Sequence, residues 1–241
     1  MACACSTAWR PISTKADASR LALIHSPFVG PGCWAATAAA APGGGAVDYG
    51  GLRAPDWYDG VGARIAAQCD GAPWVAVLHS GAGGFAPAIA EAAADLLGFV
   101  FVDALLPYPG RAWTDTAPPE LAAHLRRLAR GDGRLPPWNA WFASDPTPGL
   151  IPDAAARAAF VRELPRVPLA FLDAVSPART GWARLPAAYL RLSRAYEDAA
   201  SEAEQRGWTV RRLETHHLAM VSEPDKVAAT ISALAARLGF E

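Results

Sequence analysis

Three stretches of this chain are apolar without alternation: Leu21-Ala22-Leu23-Ile24, Trp74-Val75-Ala76-Val77-Leu78 and Phe99-Val100-Phe101-Val102. A strand covered on both faces has no polar side to present, so short unbroken apolar runs predict the inner strands of a parallel sheet. With their flanks they predict strands over residues 21–25, 74–79 and 99–103, and shorter runs predict three more over 46–49, 188–193 and 209–213. Helical patterns fill most of the gaps, at 57–69, 84–97, 196–206 and 224–238. Strands alternating with helices predict an α/β architecture, a mostly parallel central sheet flanked by helices. The Ala- and Gly-rich segment 38–45 is too short for a domain linker and fits a loop or a helix end.

The alternation fails over residues 107–186, an insertion between the fourth and fifth strands. It carries helical patterns at 118–131 and 153–164, with a Pro/Trp-rich bend at 135–142 between them. Trp113, Trp138, Trp141, Phe142 and Trp182 fall in it. Such aromatics either line a pocket for a hydrophobic ligand or form the insertion's own small core.

A chain of 241 residues, 52% of them hydrophobic, suffices for one domain with a sizeable core, expected over residues 20–241 behind a disordered tail at 1–19. The 22 basic and 23 acidic residues are interspersed and leave a net charge of −1, which supplies no electrostatic footprint for nucleic acid or an anionic membrane. The chain has no apolar stretch of bilayer length and no signal-peptide core near Met1, so the expectation is a cytoplasmic protein. Cys3, Cys5, Cys33 and Cys69 are few and unevenly spaced, as expected of reduced thiols without a metal site or disulfide framework, and no motif calls for a cofactor. Oligomeric state is left open. The Ala/Arg/Gly-rich composition suggests a high-GC bacterial source, a setting associated with secondary-metabolite genes.

The chemistry concentrates where the second inner strand ends. His79-Ser80-Gly81-Ala82-Gly83-Gly84 places a serine between a strand and a small-residue helix start, the form of a nucleophile elbow. Ala82, two residues after the serine, is small as a tight turn requires; Leu78, two before it, is not. Downstream, the last strand leads into Glu214-Thr215-His216-His217-Leu218-Ala219-Met220, which offers a general base. Upstream, the first strand delivers His25-Ser26-Pro27-Phe28-Val29-Gly30, a loop rich in Gly and Pro. Two carboxylate sources stand between serine and histidine in the chain: Asp103 at the end of its strand, and Glu197 with Asp198 at the start of a helix, where an acid also has a structural reason to sit.

In this order the landmarks His25-Ser26, His79-Ser80, Val102-Asp103-Ala104 and His217-Leu218-Ala219-Met220 resemble the α/β-hydrolase superfamily, its small esterase-like and hydroxynitrile-lyase-like members above all, over residues 20–240. The resemblance implies a nucleophilic Ser80, a base at His217 in preference to His216, and an acid at Asp103 or Glu197. It also implies an oxyanion loop after His25 and a cap over the site formed by about 108–185. The expected substrate-binding residues are then His25, Ser26, Pro27, Phe28, Gly81, Trp113, Trp138 and Trp141. One oxyanion donor should be the Gly81 N–H; the other falls at Pro27, which has none. The partner expected is a hydrophobic or aromatic small molecule. Three functions are compatible with these residues: hydrolysis of an ester, lactone or thioester through Ser80; non-hydrolytic lyase, epimerase or cyclase chemistry with His217 as proton shuttle; and ligand binding without catalysis.

Overall fold

The structure, a computed structural model, describes residues 20–239. The tail expected to be disordered, with Cys3 and Cys5, lies outside them. Six strands, β1 (Arg20–Ile24), β2 (Gly44–Val47), β3 (Trp74–His79), β4 (Leu96–Val102), β5 (Ala187–Arg191) and β6 (Thr209–Arg212), form one sheet in the order β2-β1-β3-β4-β5-β6. Every adjacent pair is parallel. Between the strands run α1 (Ala35–Ala40), α2 (Asp59–Cys69), α3 (Ala86–Ala92), α4 (Pro119–Leu128), α5 (Thr147–Leu150), α6 (Ala154–Arg162), α7 (Leu169–Asp173), α8 (Glu197–Gln205), α9 (Ala219–Ser222) and α10 (Pro224–Ala236).

The unbroken apolar runs have the cause expected of them. All six residues of β3 are buried, and they divide by alternation between two cores. Trp74, Ala76 and Leu78 face the layer holding α2, α3 and α8; Val75 and Val77 face the layer of α1, α9 and α10. At roughly 25 cal/mol per Å² of apolar area, this double burial is the main force holding the sheet together. β6 is an edge strand and only partly buried, which is why its sequence keeps two arginines.

Several boundaries shift from the sequence expectation, and two of the shifts have a clear cause. The helix foreseen over 84–97 is a 3₁₀ turn (Ser80–Phe85) followed by the short α3, and Leu96 already belongs to β4. Alanine and leucine favour helix, but Leu96 opposite Trp74 gains a sheet partner and a buried position, and tertiary pairing overrides propensity. Likewise β2 starts at Gly44 because that residue stands opposite Leu21 in the apolar run of β1.

Among residues 103–186 the two foreseen helices are α4 and α6. The side chain of Asp153 caps α6 by accepting from the Ala156 N–H at 2.7 Å. Isolated antiparallel bridges, Ala112 to Val175 and Arg134 to Pro168, tie this insertion to itself. Its residues Leu125, Leu135 and Phe171 join one core and Ile151 and Phe160 the other. Among the described residues no helix is long and apolar enough to cross a membrane, and no three His, Cys, Asp or Glu side chains cluster as a metal would require.

The strand order reverses between β1 and β3. In open parallel sheets ligands sit at the carboxyl ends of the strands beside such a reversal. Here those ends carry His25 and Ser80.

Candidate active site

Ser80 follows directly on β3 and has φ of +55°, the left-handed region that costs a residue with a side chain about 1–2 kcal/mol. The turn is enforced from all sides. The Leu105 N–H donates to the Ser80 carbonyl at 3.0 Å, a Cβ at Gly83 would overlap the Leu105 carbonyl, and one at Gly84 would stand 2.6 Å from the Tyr108 hydroxyl. Leu78, larger than such a turn usually accepts, is placed wholly in the core with Trp74 and Ala76.

Asp103, at the end of β4, is with Ser80 one of two non-glycine residues of positive φ among the described residues, at +44°, and its side chain is fully enclosed. Oδ1 accepts from the backbone N–H groups of Leu192 and Ser193 at 2.8 and 2.9 Å. Oδ2 accepts from the Ser193 hydroxyl at 2.6 Å and stands 2.8 Å from His217 Nδ1. Burial by itself would raise the carboxyl pKa, but the hydrogen bonds from His217 and Ser193 outweigh it and hold Asp103 below the usual carboxylate range. A carboxylate only accepts, so His217 carries its proton on Nδ1 and leaves Nε2 as the basic nitrogen.

Glu197, the other expected acid, is engaged elsewhere. Its two oxygens bind Arg191 at 3.0 Å and Arg212 at 2.8 Å, so it serves to fix the start of α8. The arginines of β5 and β6 lie within its reach; the histidine does not figure among its partners.

The two adjacent histidines are separated by what they bind. His216 is consumed locally, Nδ1 accepting from the Leu218 N–H at 3.3 Å and Nε2 lying 3.0 Å from Ser222 Oγ. His217 instead turns inward to Asp103, with its ring 4.5 Å from that of His79. His79 Nε2 lies 3.1 Å from the His217 carbonyl, and since a carbonyl only accepts, His79 donates there. Burial lowers the pKa of His79 well below its ordinary value, helped by the neighbouring His217, so His79 is a neutral prop behind the base.

Tyr196, at the end of the 3₁₀ turn before α8, went unnoticed in the sequence. Its ring lies parallel to that of His217 (3° between planes, centroids 5.1 Å apart) and its hydroxyl is 3.2 Å from Ser80 Oγ. Among the described residues this is the hydrogen bond of the Ser80 hydroxyl; none joins Ser80 to His217 directly. Burial pushes the Tyr196 phenol up to about 12, against the opposing effect of the Ser80 hydrogen bond. The one signal for it in the sequence is its position, a few residues after β5 and directly before Glu197.

The loop after β1 abuts the elbow. A Cβ at Gly81 would stand 3.1 Å from both Pro27 Cδ and the Phe28 ring. Pro27 has no N–H, and that of Phe28 points to Ser26 Oγ at 3.4 Å. Phe28 in turn meets two insertion aromatics edge-on, Trp141 at 5.0 Å and Trp113 at 6.3 Å between centroids. Trp138 packs instead on Phe142 and Phe160, Phe142 is exposed, and Trp182 lies beside Trp208 and Arg206 at the β6 side of the molecule. The insertion aromatics thus divide: Trp113 and Trp141 approach the elbow and the others do not. His25 is buried against Tyr49, its Nδ1 2.8 Å from the Ser26 carbonyl, and burial lowers its pKa. With Pro27, Tyr49, Glu163 and Arg166 it lines a cavity of about 230 Å³ to which neither Ser80 nor Gly81 contributes. Cys33 and Cys69 are free and buried, and burial pushes the Cys69 thiol up to about 12, which leaves it inert.

The chain matches no protein-family model and no curated protein. Solved structures do match. An extracellular α/β-hydrolase from a Paenibacillus species, described as sharing structural and functional homology with tobacco salicylic acid binding protein 2, is 18% identical with a TM-score of 0.68, over 90% of this chain and 98% of the other. Tomato methylketone synthase I complexed with 2-tridecanone is 16% identical with a TM-score of 0.64, over 93% and 99%. A histidine-to-alanine variant of polyneuridine aldehyde esterase is 16% identical with a TM-score of 0.63, over 89% and 98%. The chain has the α/β-hydrolase fold.

Proposed function

We propose that this protein is a serine hydrolase that cleaves an ester, lactone or thioester of a hydrophobic or aromatic small molecule through an acyl-Ser80 intermediate. The observation that carries the reading is the 2.8 Å contact of His217 Nδ1 with the enclosed Asp103 carboxylate, beside a serine held at φ +55°. Strain of that kind is maintained where a side chain must be presented, and a carboxylate on Nδ1 orients an imidazole to take a proton at Nε2. In the reaction Ser80 Oγ attacks the carbonyl carbon as its proton passes to His217 Nε2, and the carbonyl electron pair moves onto oxygen facing the Gly81 N–H. The intermediate then collapses, the leaving oxygen or sulfur takes the proton from His217, and water repeats the sequence to release the acid. Turning the Ser80 hydroxyl between staggered rotamers lets it exchange Tyr196 for His217 when substrate arrives. The insertion acts as a cap, with Trp113 and Trp141 laid over Phe28 to supply an apolar wall.

A second reading is non-hydrolytic catalysis, with His217 moving a proton and Ser80 only binding. Pro27 favours it, because an oxyanion with one backbone donor is poorly stabilised, and tomato methylketone synthase I, named for a synthase, shares the fold. Incubation of the purified protein with aryl and alkyl esters of aromatic and medium-chain acids and, in parallel, with β-keto acids, products identified by mass, separates the two. Free acid plus alcohol, formed at a rate that depends on enzyme concentration, is the expected result; β-keto acids consumed with loss of CO₂ while esters remain intact would overturn it.

A further inference from the structure

We propose that the Tyr196 hydroxyl is the second donor to the reacting oxygen, taking the part for which the loop after β1 has no N–H. The inference rests on the acyl-transfer reading and supplies what that reading lacks. A tetrahedral adduct on Ser80 carries its negative oxygen one carbon away from Oγ, and stabilisation requires preorganised donors at that oxygen. Of the two positions in the oxyanion loop that face Gly81, Pro27 has no hydrogen to give and the Phe28 N–H is turned to Ser26 Oγ.

The other tyrosine hydroxyls can be counted out one by one. Tyr58 and Tyr108 hydroxyls face each other at 3.3 Å, Tyr49 donates to the His25 carbonyl, and Tyr189 donates to the Ala104 carbonyl. These with Tyr196 are all five tyrosines of the chain. Tyr196 alone among them has its hydroxyl on the serine, 3.2 Å from Oγ.

It is also held. The ring is stacked on His217, whose own position is fixed by Asp103 and by His79 behind it. The residue after it, Glu197, is anchored by Arg191 and Arg212, so the 3₁₀ turn that carries Tyr196 ends at a braced point. A phenol with its pKa pushed up to about 12 by burial keeps its proton at neutral pH and remains a donor. In the bond to Ser80 the roles follow from proton count. Once the serine proton has gone to His217, Oγ only accepts, so Tyr196 donates; as the C–O bond forms and charge passes to the former carbonyl oxygen, the same O–H turns to that oxygen. Tyr196 keeps its proton throughout and is regenerated unchanged.

The test is Tyr196→Phe, which deletes the hydroxyl and leaves the stack on His217. The readouts are kcat and KM for an aryl ester and the rate constant for phosphonylation of Ser80 by an ethoxy fluorophosphonate, in which oxygen on phosphorus develops the same charge. The expected result is a fall of about 10²- to 10³-fold in both kcat and the phosphonylation rate, with KM within a few fold and the thermal melt unchanged. Rates within threefold of the unaltered protein would show that the ring only packs, and faster rates would show that the hydroxyl shields the serine; either overturns the proposal. If Ser80→Ala leaves hydrolysis intact, or the unaltered protein takes up no phosphonate, the acyl-transfer reading falls and this proposal with it, a result distinct from an insensitive Tyr196→Phe.

Discussion

Ser80→Ala is expected to reduce ester turnover by about 10⁴- to 10⁶-fold, His217→Ala to do the same, and the double variant to be no slower than the worse single one. Non-additivity is the informative part. The two side chains act in one proton transfer, so removing either removes the step, whereas two groups with separate duties would compound. Neither change should unfold the protein. Among the described residues the Ser80 hydroxyl has one hydrogen bond, to Tyr196, and His217 is a part-buried loop residue whose ring contacts are with Asp103, His79 and Tyr196; without it Asp103 keeps its bonds from Leu192 and Ser193. Steady-state kinetics beside thermal melts check both statements. Under the non-hydrolytic reading the pattern differs, with His217→Ala inactive and Ser80→Ala retaining substantial rate.

Asp103→Asn carries the second large effect, and it falls on activity and stability together. An amide nitrogen opposite His217 Nδ1 can no longer accept its proton, so the imidazole shifts to the other tautomer and Nε2 ceases to be a base. The expected loss in kcat is about 10⁴-fold, the size found when the acid of a Ser-His-Asp arrangement becomes an amide. The same carboxylate holds the end of β5 through Leu192 and Ser193, and weakening one enclosed hydrogen-bond partner costs about 1–3 kcal/mol. The pH dependence follows from its lowered pKa. A group whose folded value lies below its unfolded value stabilises the fold above the unfolded value, near 3.9 for Asp, and loses that contribution as pH falls through the folded value. Denaturant midpoints of the unaltered protein and the variant should therefore be well separated at pH 7 and converge below about pH 4.

Much of this was written in the chain because its causes are local. The runs at Leu21–Ile24 and Trp74–Leu78 are apolar at every position since helices cover both faces of β1 and β3, and the order of serine and histidine follows from the order of strands. The elbow was legible from Gly81, Gly83 and Gly84, whose missing Cβ atoms make room for Phe28, Leu105 and Tyr108. What the sequence withheld depends on side-chain competition across the sheet. Asp103 and Glu197 look equivalent on paper; only the fold places Arg191 and Arg212 against Glu197 and the buried end of β4 against His217. Tyr196 was illegible for the same reason, since stacking on a residue 21 positions away and bonding to one 116 positions away leaves no periodic trace. The insertion shows the limit of composition: of five aromatics that could line a pocket, Trp113 and Trp141 reach Phe28, while Trp182 is drawn to Trp208 and Arg206.

The most direct measurement is the site of covalent capture. The protein is treated with an ethoxy fluorophosphonate, weighed intact, and digested to locate the adduct. Acyl transfer through an activated serine predicts one adduct per chain on the peptide bearing Ser80, lost in Ser80→Ala and slowed at least a hundredfold in His217→Ala. No adduct, or the same labelling of the Ser80→Ala protein, would contradict it.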